Sequence, residues 1–277
     1  RILHAHDFRD ALEFKDEDIL LVGSSYSAED IGTQCYKYGT KSVTISYRSQ
    51  PLGYEWPEGI KEVPLVTHFE DDVAHFADGT SQKFDAIIMC TGYLFHFPFM
   101  PDELRLQTHN CLYPANLYKG IFWQPNPKLI YLGMQDQYFT FNMFDAQAWY
   151  ARDVIMGDIE LPDLAAREED EQKWLATYAK CVTVSDSIDF QAAYIRDLTN
   201  ATDYPEFAVE KQGEILKEWQ KDKAENIMTF REKAYRSTLT GTMSPELPEP
   251  WLDILDDSLE HFLNLTFVKP KKRKKVS

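Results

Sequence analysis

The 277-residue sequence has no run of 18 apolar residues and no signal-peptide pattern. Those features would predict a membrane span or secretion, so we expect no membrane partner and a cytoplasmic location. Cysteine is scarce, and the four cysteines are widely spaced with no C-x-x-C pair. This spacing disfavours a disulfide framework and a zinc site, and it fits a reducing compartment. We therefore predict no metal.

Positive charge is scarce over most of the chain. The formal net charge is −16, although the run from Lys269 to Lys275 alone contributes six positive charges. Because an acidic body repels phosphate backbones, nucleic acid is not an expected partner. The basic run resembles a nuclear localisation signal, but such runs often occur by chance, and we interpret it as a solvated tail. The sequence also lacks an initiator Met, and we expect a fragment that opens within a structured segment.

An apolar run from Ile19 to Val22 ends abruptly in a turn of small residues. The pattern predicts a buried parallel strand, a tight turn and a helix N-terminus, whose free N–H groups and positive dipole suit a pyrophosphate. In the dinucleotide fingerprint G-x-G-x-x-G/A, Ser25 replaces the middle glycine. An ordinary strand-to-helix turn is the alternative. The predicted cofactor-binding residues here are Gly23, Ser24, Ser25, Tyr26, Ser27, Ala28 and Glu29.

A second predicted strand, Ser42 to Tyr47, is followed by Arg48 and Ser49. At this strand end, NAD-binding sites place an acidic residue on the ribose 2′-OH, whereas NADP-binding sites accommodate the 2′-phosphate with arginine. The guanidinium of Arg48 can hold a phosphate through two parallel hydrogen bonds. We therefore predict NADPH rather than NADH, and a solvated strand-end charge is the alternative role for Arg48.

Further patterns predict an α/β fold that becomes helical toward its end. Strands are expected at Val63 to Phe69, in a hairpin that turns at Asp78-Gly79, at Phe84 to Tyr93 and at Leu129 to Gly133. The end of the Phe84 strand should line the ligand crevice through Cys90, Thr91 and Gly92. Helices are expected from Asn142 to Met156 and then over 164–180, 188–198, 205–235 and 250–263.

Three motifs together resemble the flavin-containing monooxygenase family. They are the turn from Gly23 to Asp30, the strand end Cys90-Thr91-Gly92-Tyr93 and the opening His4-x-x-x-Phe8. The opening is similar to the second half of the family signature F-x-G-x-x-x-H-x-x-x-(F/Y), and Phe8 favours the branch that oxygenates nitrogen and sulfur. Within that branch, S-S-Y-S-A-E-D and the later G-M-Q-D-Q-Y-F-T are similar to motifs of bacterial trimethylamine monooxygenases.

The resemblance implies two Rossmann-like dinucleotide-binding domains and a helical C-terminal part. The NADPH domain is inserted into a discontinuous FAD domain. Residues 1–93 would be part of the NADPH domain, 94–157 the second part of the FAD domain and 158–277 the helical region with its basic tail. The first part of the FAD domain, with its own G-x-G-x-x-G, is absent from this sequence.

The resemblance also implies an enzyme that uses NADPH, FAD and O2 to convert a small tertiary amine, trimethylamine, into its N-oxide, with sulfides as further substrates. It assigns catalytic roles to Tyr26, beside nicotinamide and flavin, and to Asp136 at the flavin edge. Gln137 and Thr140 join the cofactor site. The alternatives are a packing role for Tyr26 and a helix N-cap role for Asp136. A homodimer is expected.

Trp219 is a candidate for substrate contact, because an aromatic face suits a small alkylamine. A core or interface tryptophan is the alternative. Two other functions stay open for the whole chain. One is a non-catalytic NADP-binding fragment, which the missing flavin motif suggests. The other is a different flavoprotein oxidoreductase of this architecture, such as a disulfide reductase, although the sequence lacks C-x-x-C.

Overall fold

The computed structural model describes residues 1–238 and 240–244. Strands connected by turns predominate in the first half of the chain, and helices predominate in the second half. In chain order the strands are β1 (Ile2–His4), β2 (Asp18–Val22), β3 (Ser42–Ser46), β4 (Ile60–Val63), β5 (Val66–Glu70), β6 (Val73–Phe76), β7 (Ser81–Lys83), β8 (Ala86–Met89), β9 (Leu117–Tyr118) and β10 (Phe122–Trp123). The helices are α1 (Tyr26–Lys37), α2 (Phe141–Met156), α3 (Leu164–Tyr178), α4 (Val184–Asn200) and α5 (Val209–Glu225).

A five-stranded parallel sheet with the order β1-β8-β2-β3-β4 organises the first half. Its central strand β2 is apolar on both faces, as buried parallel strands are. Ile19 and Leu21 face a core shared with α1, whereas Leu20 faces a core shared with the antiparallel ribbon β5-β6-β7. The helix therefore covers one face of the sheet and the ribbon covers the other.

Helix α1 packs closely on the sheet because its buried positions follow a helical spacing. Ala28, Ile31, Gly32 and Cys35 recur at intervals of three and four residues and are all buried. A β-carbon on Gly32 would lie 3.1 Å from the side chain of Leu21 on β2. The small residue lets the helix approach the strand, which fixes the position of the turn that joins them.

The second half packs α2 to α5 and the segment around β9 and β10 into one apolar core. Helix α4 is central to it, with Ile188, Ile195 and Leu198 fully buried. It begins with a reciprocal cap, in which the Thr183 hydroxyl accepts from the Asp186 N–H at 3.1 Å and the Asp186 carboxylate accepts from the Thr183 N–H at 2.8 Å. Helix α5 packs on α4 and continues toward α1.

Several predicted boundaries were wrong, for physical reasons. The predicted strand from Val63 to Phe69 is divided between β4 and β5, because Pro64 has no N–H for a ladder. The predicted strand from Leu129 to Gly133 forms only an isolated antiparallel bridge between Ile130 and Phe122. Leu129, Ile130 and Tyr131 are half-buried or buried and Leu132 is exposed, but β10 offers the segment only two residues of backbone.

Two predicted helices also differ from the structure. The helix predicted over 188–198 is longer, and that over 205–235 is shorter, as α4 and α5 show. Asn226 ends α5, because its side chain accepts from the N–H groups of Met228 and Thr229. The helix predicted over 250–263 lies outside the described residues.

Candidate functional site at the strand ends

The turn between β2 and α1 is built around Gly23. Its φ of +118° is rare for residues with a side chain, and a β-carbon there would overlap the carbonyl oxygen of Cys90. Hydrogen bonds fix it between two strands: the Gly23 N–H donates to the Ser46 carbonyl at 2.9 Å, and the Cys90 N–H donates to the Val22 carbonyl at 2.8 Å. The ends of β2, β3 and β8 therefore meet at this turn.

Helix α1 begins with donors that the helix itself does not use. Ser25 is the N-cap residue in extended backbone, and its hydroxyl makes no capping bond. The Ser25 carbonyl accepts from the N–H groups of Ala28 and Glu29, whereas those of Tyr26 and Ser27 have no acceptor within the helix. A turn with close backbone approach and free N–H groups fits a bound pyrophosphate. Ser24 lies half-buried in the same turn.

Arg48 and Ser49 follow the end of β3, at the same edge of the sheet as the turn. Both side chains are exposed. Among residues 1–238 and 240–244, no side chain or carbonyl pairs with the guanidinium of Arg48. Thr91 and Gly92, beyond β8, are exposed at this edge too. The Arg48 guanidinium has no competing partner in the described chain, so it could reach a phosphate at this edge.

Glu29 points away from the edge and into the protein. It is 4% exposed, and its carboxylate accepts from the ammonium of Lys223 at 2.8 Å and from the hydroxyl of Tyr54 at 2.9 Å. Burial and the neighbouring Glu29 carboxylate raise the pKa of Tyr54 well above its ordinary value. Each carboxylate oxygen thus has a partner within the protein, and a contact between Glu29 and a cofactor stays a prediction.

Tyr26 stands at the start of α1 and keeps 43% of its surface exposed. Its hydroxyl accepts from the Gln220 amide at 3.2 Å, and the Lys223 ammonium lies 4.4 Å from its ring centre. Burial raises the pKa of Tyr26, and the carboxylates of Glu29 and Asp136 add to the effect. Tyr26 is therefore a neutral phenol near pH 7. The Asp136 carboxylate thus acts electrostatically on the Tyr26 hydroxyl, and the catalytic roles of both residues stay predictions.

Asp136 lies in a loop whose backbone is fixed by buried glutamines. The Gln191 side chain donates to the Asp136 carbonyl and accepts from the Tyr138 N–H at 2.7 Å, and the Gln147 side chain accepts from the Gly133 N–H at 2.9 Å. Both glutamines are 0% exposed. The Asp136 side chain accepts from the N–H of the next residue at 3.0 Å and is not a helix cap. The N-cap alternative for Asp136 is therefore wrong.

Sequence reasoning missed Gln191, although a signal was present. Ile188, Gln191, Ile195 and Leu198 recur at intervals of three and four residues, so an amide interrupts the apolar stripe of α4. A polar side chain at such a position must find hydrogen-bond partners inside the protein. It finds them in the loop that carries Asp136.

The same loop ends in a strained residue at the start of α2. Thr140 is the N-cap with φ +38°, a conformation that is rare for a β-branched side chain. Its hydroxyl makes no capping bond, and the side chain of Gln137 is exposed. Strain of this kind is concentrated at ligand sites. The contacts of Gln137 and Thr140 with a cofactor stay predictions.

Trp219 lies on α5 and is half-buried. Its ring packs edge-on against Phe230 with centroids 5.1 Å apart. The Arg231 guanidinium and the Lys223 ammonium each lie 5.6 Å from its ring centre. These contacts occupy the ring with protein groups, and a role for Trp219 in substrate contact stays a prediction.

Two kinds of feature are absent from the described ranges, 1–238 and 240–244. These ranges contain no group of three or more His, Cys, Asp or Glu side chains that could hold a metal ion. They also contain no helix with the length and apolar character needed to cross a membrane.

Comparison with known proteins identifies relatives over nearly the whole chain. A family model described as flavin-binding monooxygenase-like matches residues 58–217. Trimethylamine monooxygenase of Methylocella silvestris is 58% identical over 95% of this chain and 58% of its own length, and that of Roseovarius sp. strain 217 is 56% identical over 95% and 59%. The chain thus spans less than two thirds of these relatives.

A solved structure agrees with these matches. The crystal structure of Tmm from Pelagibacter sp. strain HTCC7211 is 50% identical and matches with a TM-score of 0.89, covering 95% of this chain and 60% of that one. S-allyl-L-cysteine S-oxygenase from Allium sativum is 24% identical with a TM-score of 0.67 over 84% of this chain and 55% of that one, which is a likeness of fold.

Proposed function

The chain belongs to the flavin-binding monooxygenase-like family, and from that premise we propose that the whole protein is an NADPH- and FAD-dependent monooxygenase. Its substrates would be O2 and a small tertiary amine, with trimethylamine converted into its N-oxide. The relatives named trimethylamine monooxygenase support the choice of amine. The observation that carries the proposal is the turn at Gly23, where the backbone lies close to Cys90 and is followed by N–H groups at the start of α1 that have no acceptor within the helix.

Two sets of residues would bind the cofactors. The N–H groups of Tyr26 and Ser27 would hold the pyrophosphate of NADPH, and Arg48 with Ser49 would hold the 2′-phosphate. The loop from Asp136 to Thr140 would line the flavin. When bound, NADPH supplies a hydride and FAD supplies the ring at which O2 is activated.

The protein side chains would orient the reactants and keep water away from them. The half-exposed ring of Tyr26 is neutral and can cover a bound nicotinamide without adding a charge. The Asp136 carboxylate gives this edge a negative charge, which attracts an alkylammonium from solution. The buried amide of Gln191 holds the Asp136 backbone in place. The side chains would thus position the reactants and exclude water rather than act as nucleophiles.

We extend the proposal to the arrangement of domains. Residues 1–93 would be part of the NADPH domain, 94–157 the second part of the FAD domain and 158–277 a helical region, giving two Rossmann-like domains. Tyr93, Leu94 and Phe99 expose 62%, 91% and 80% of their surface at the proposed boundary. So large an apolar surface favours cover by further protein. A cytoplasmic homodimer that also accepts sulfides completes the proposal.

The test is made on the whole protein, purified and assayed for bound flavin by its visible absorbance. We expect NADPH oxidation that depends on trimethylamine and yields the N-oxide by mass spectrometry. A folded protein that lacks flavin and does not bind added FAD would contradict the proposal. Binding of NADPH without turnover would favour a non-catalytic NADP-binding protein, and NADPH-dependent reduction of a disulfide would favour a disulfide reductase.

A further inference from the structure

Three ion pairs join α1 to α5 and to the segment that follows α5. They are Glu29–Lys223 at 2.8 Å, Asp30–Arg231 at 2.7 Å and Lys37–Glu232 at 2.9 Å. The second and third are partly exposed, and such pairs contribute little to stability. The first differs, because the side chains of both partners are almost completely buried.

The Lys223 ammonium lies in a cage of carboxylate and aromatic rings. Its side chain is 6% exposed and that of Glu29 is 5% exposed. The ring centres of Tyr26, Trp219 and Tyr54 lie 4.4, 5.6 and 5.7 Å from Nζ. A buried ammonium has lost its water, so the charge of Glu29 and the faces of the rings replace that hydration. The ammonium in turn restrains the rings.

Tyr26 is the ring that most needs such a restraint. It is 43% exposed, and an exposed aromatic side chain ordinarily changes rotamer within nanoseconds. Among the described residues, its hydroxyl has one hydrogen-bond partner, Gln220, and the ammonium closest to its ring is Lys223. Both belong to α5, so the position of that helix determines where the ring of Tyr26 points.

We propose that Lys223 is a positioning residue, whose ammonium is held by Glu29 and fixes the ring of Tyr26 over the nucleotide-binding turn. Gln220 assists from one helical turn earlier. The proposal rests on the proposed function for the identity of the nucleotide, NADP⁺. The position of the ring itself does not depend on that identity, because Gln220 and Lys223 of this chain make the contacts.

The test uses variants of the whole protein that separate charge balance from ring position. Lys223→Met alone leaves the buried Glu29 carboxylate without a cation and is expected to destabilise the fold. The double variant Glu29→Gln/Lys223→Met has no uncompensated charge, so its melting temperature should stay close to that of the unmodified protein. It still lacks the ammonium beside Tyr26. Lys233→Met is the matched control, because Lys233 pairs with Glu218 and Asp222, which lie on α5 as Lys223 does.

Two measurements are made on each variant. The first is the dissociation constant for NADP⁺ by calorimetry, which should rise about five- to tenfold in the double variant and stay unchanged in the control. The second is the ¹⁹F spectrum of 3-fluorotyrosine placed at position 26 in nucleotide-free protein. One resonance is expected in the unmodified protein, and a shifted or broadened one in the double variant.

The outcomes separate this proposal from the proposed function. A folded double variant with unchanged NADP⁺ affinity and an unchanged ¹⁹F resonance would overturn the role of Lys223, which would then only neutralise Glu29. A ¹⁹F resonance that changes in the double variant but not in the Lys233→Met control supports the role of Lys223. An unmodified protein that fails to bind NADP⁺ would count against the proposed function, whereas the ¹⁹F comparison would still decide whether Lys223 positions the ring.

Discussion

The main chain of Gly23 lies against the carbonyl oxygen of Cys90, so close that no β-carbon fits between them. This contact joins the ends of β2 and β8 beneath the turn. The conformation of Ser25 explains why it can replace the middle glycine of the fingerprint. Ser25 has extended backbone with φ −143°, which any residue adopts, and its side chain is exposed. The turn thus needs a glycine at position 23 but not at position 25.

Replacement of Gly23 by alanine should disrupt the nucleotide-binding turn. The positive φ and the overlap with Cys90 together should lower the free energy of unfolding by about 1–3 kcal/mol. The dissociation constant for NADP⁺ should rise at least about tenfold, the equivalent of 1.4 kcal/mol. Urea unfolding and calorimetry measure the two effects. Gly79→Ala is the control, because Gly79 has φ +83° with no neighbour within 4 Å. Equal changes in unfolding free energy and NADP⁺ affinity in both variants would show that the Cys90 contact has no special role.

Replacement of Arg48 by alanine should weaken the preference for NADPH. Charge-assisted hydrogen bonds contribute roughly 1.5–3 kcal/mol each, so the KM for NADPH should rise at least about tenfold while that for NADH barely changes. Steady-state kinetics with both cofactors measure this. Lys41→Ala is the control, since Lys41 precedes β3 and pairs with Asp18 at the opposite edge of the sheet. Similar losses with both cofactors would indicate a structural role for Arg48.

Replacement of Tyr26 by serine should uncouple cofactor oxidation from substrate oxygenation. Without the ring, water reaches the space beside the flavin, so NADPH would still be consumed but hydrogen peroxide would replace the N-oxide. A count of NADPH, peroxide and N-oxide in one assay tests this. Tyr26→Phe keeps the ring and loses only the hydroxyl that accepts from Gln220, so it should stay mostly coupled. Unchanged coupling in the serine variant would leave Tyr26 with a packing role.

Replacement of Gln191 by leucine should loosen the loop that carries Asp136. The change leaves the Asp136 carbonyl and the Tyr138 N–H without their buried partner, and each unsatisfied group costs about 1–3 kcal/mol. We expect a lower melting temperature and faster hydrogen exchange at Tyr138. Gln212→Leu is the control, because Gln212 is half-buried on α5 and its bond joins only the side chain of Asn142. Equal exchange in both variants would contradict the role of Gln191.

Alkaline conditions should destabilise the first half of the chain through its buried thiols. Burial raises the pKa of Cys35 and of Cys90 from the ordinary 9.0 to about 12. Unfolded thiols lose their protons first, so the stabilisation is fully present below pH 9 and is lost as the pH rises toward 12. Urea unfolding from pH 7 to pH 11 measures it. The double variant Cys35→Ala/Cys90→Ala should show a flatter profile, whereas the same slope in that variant would rule out the thiols.

Local patterns in the sequence predicted the strand, turn and helix around Gly23 correctly, because each depends on neighbouring residues. The apolar run Leu129 to Gly133 was misinterpreted, since a strand also needs a partner that no local pattern specifies. The ion pair between Glu29 and Lys223 joins residues 194 positions apart, and the bond from Gln191 to the Asp136 carbonyl spans 55 positions. The apolar stripe of α4 indicates that Gln191 is buried, but the partner in each of these pairings is determined by tertiary packing and cannot be read from a periodic pattern.

Lys223, the buried partner of Glu29, also affects the electrostatic potential at the turn. A carboxylate in the first helical turn ordinarily stabilises a helix but repels an anion that approaches its N-terminus. Here Glu29 turns inward and its charge is neutralised by Lys223. The charge of Glu29 therefore does not screen the positive end of α1 on the side that faces solvent. A lysine near the end of α5 thus helps to preserve the attraction of this turn for a phosphate group.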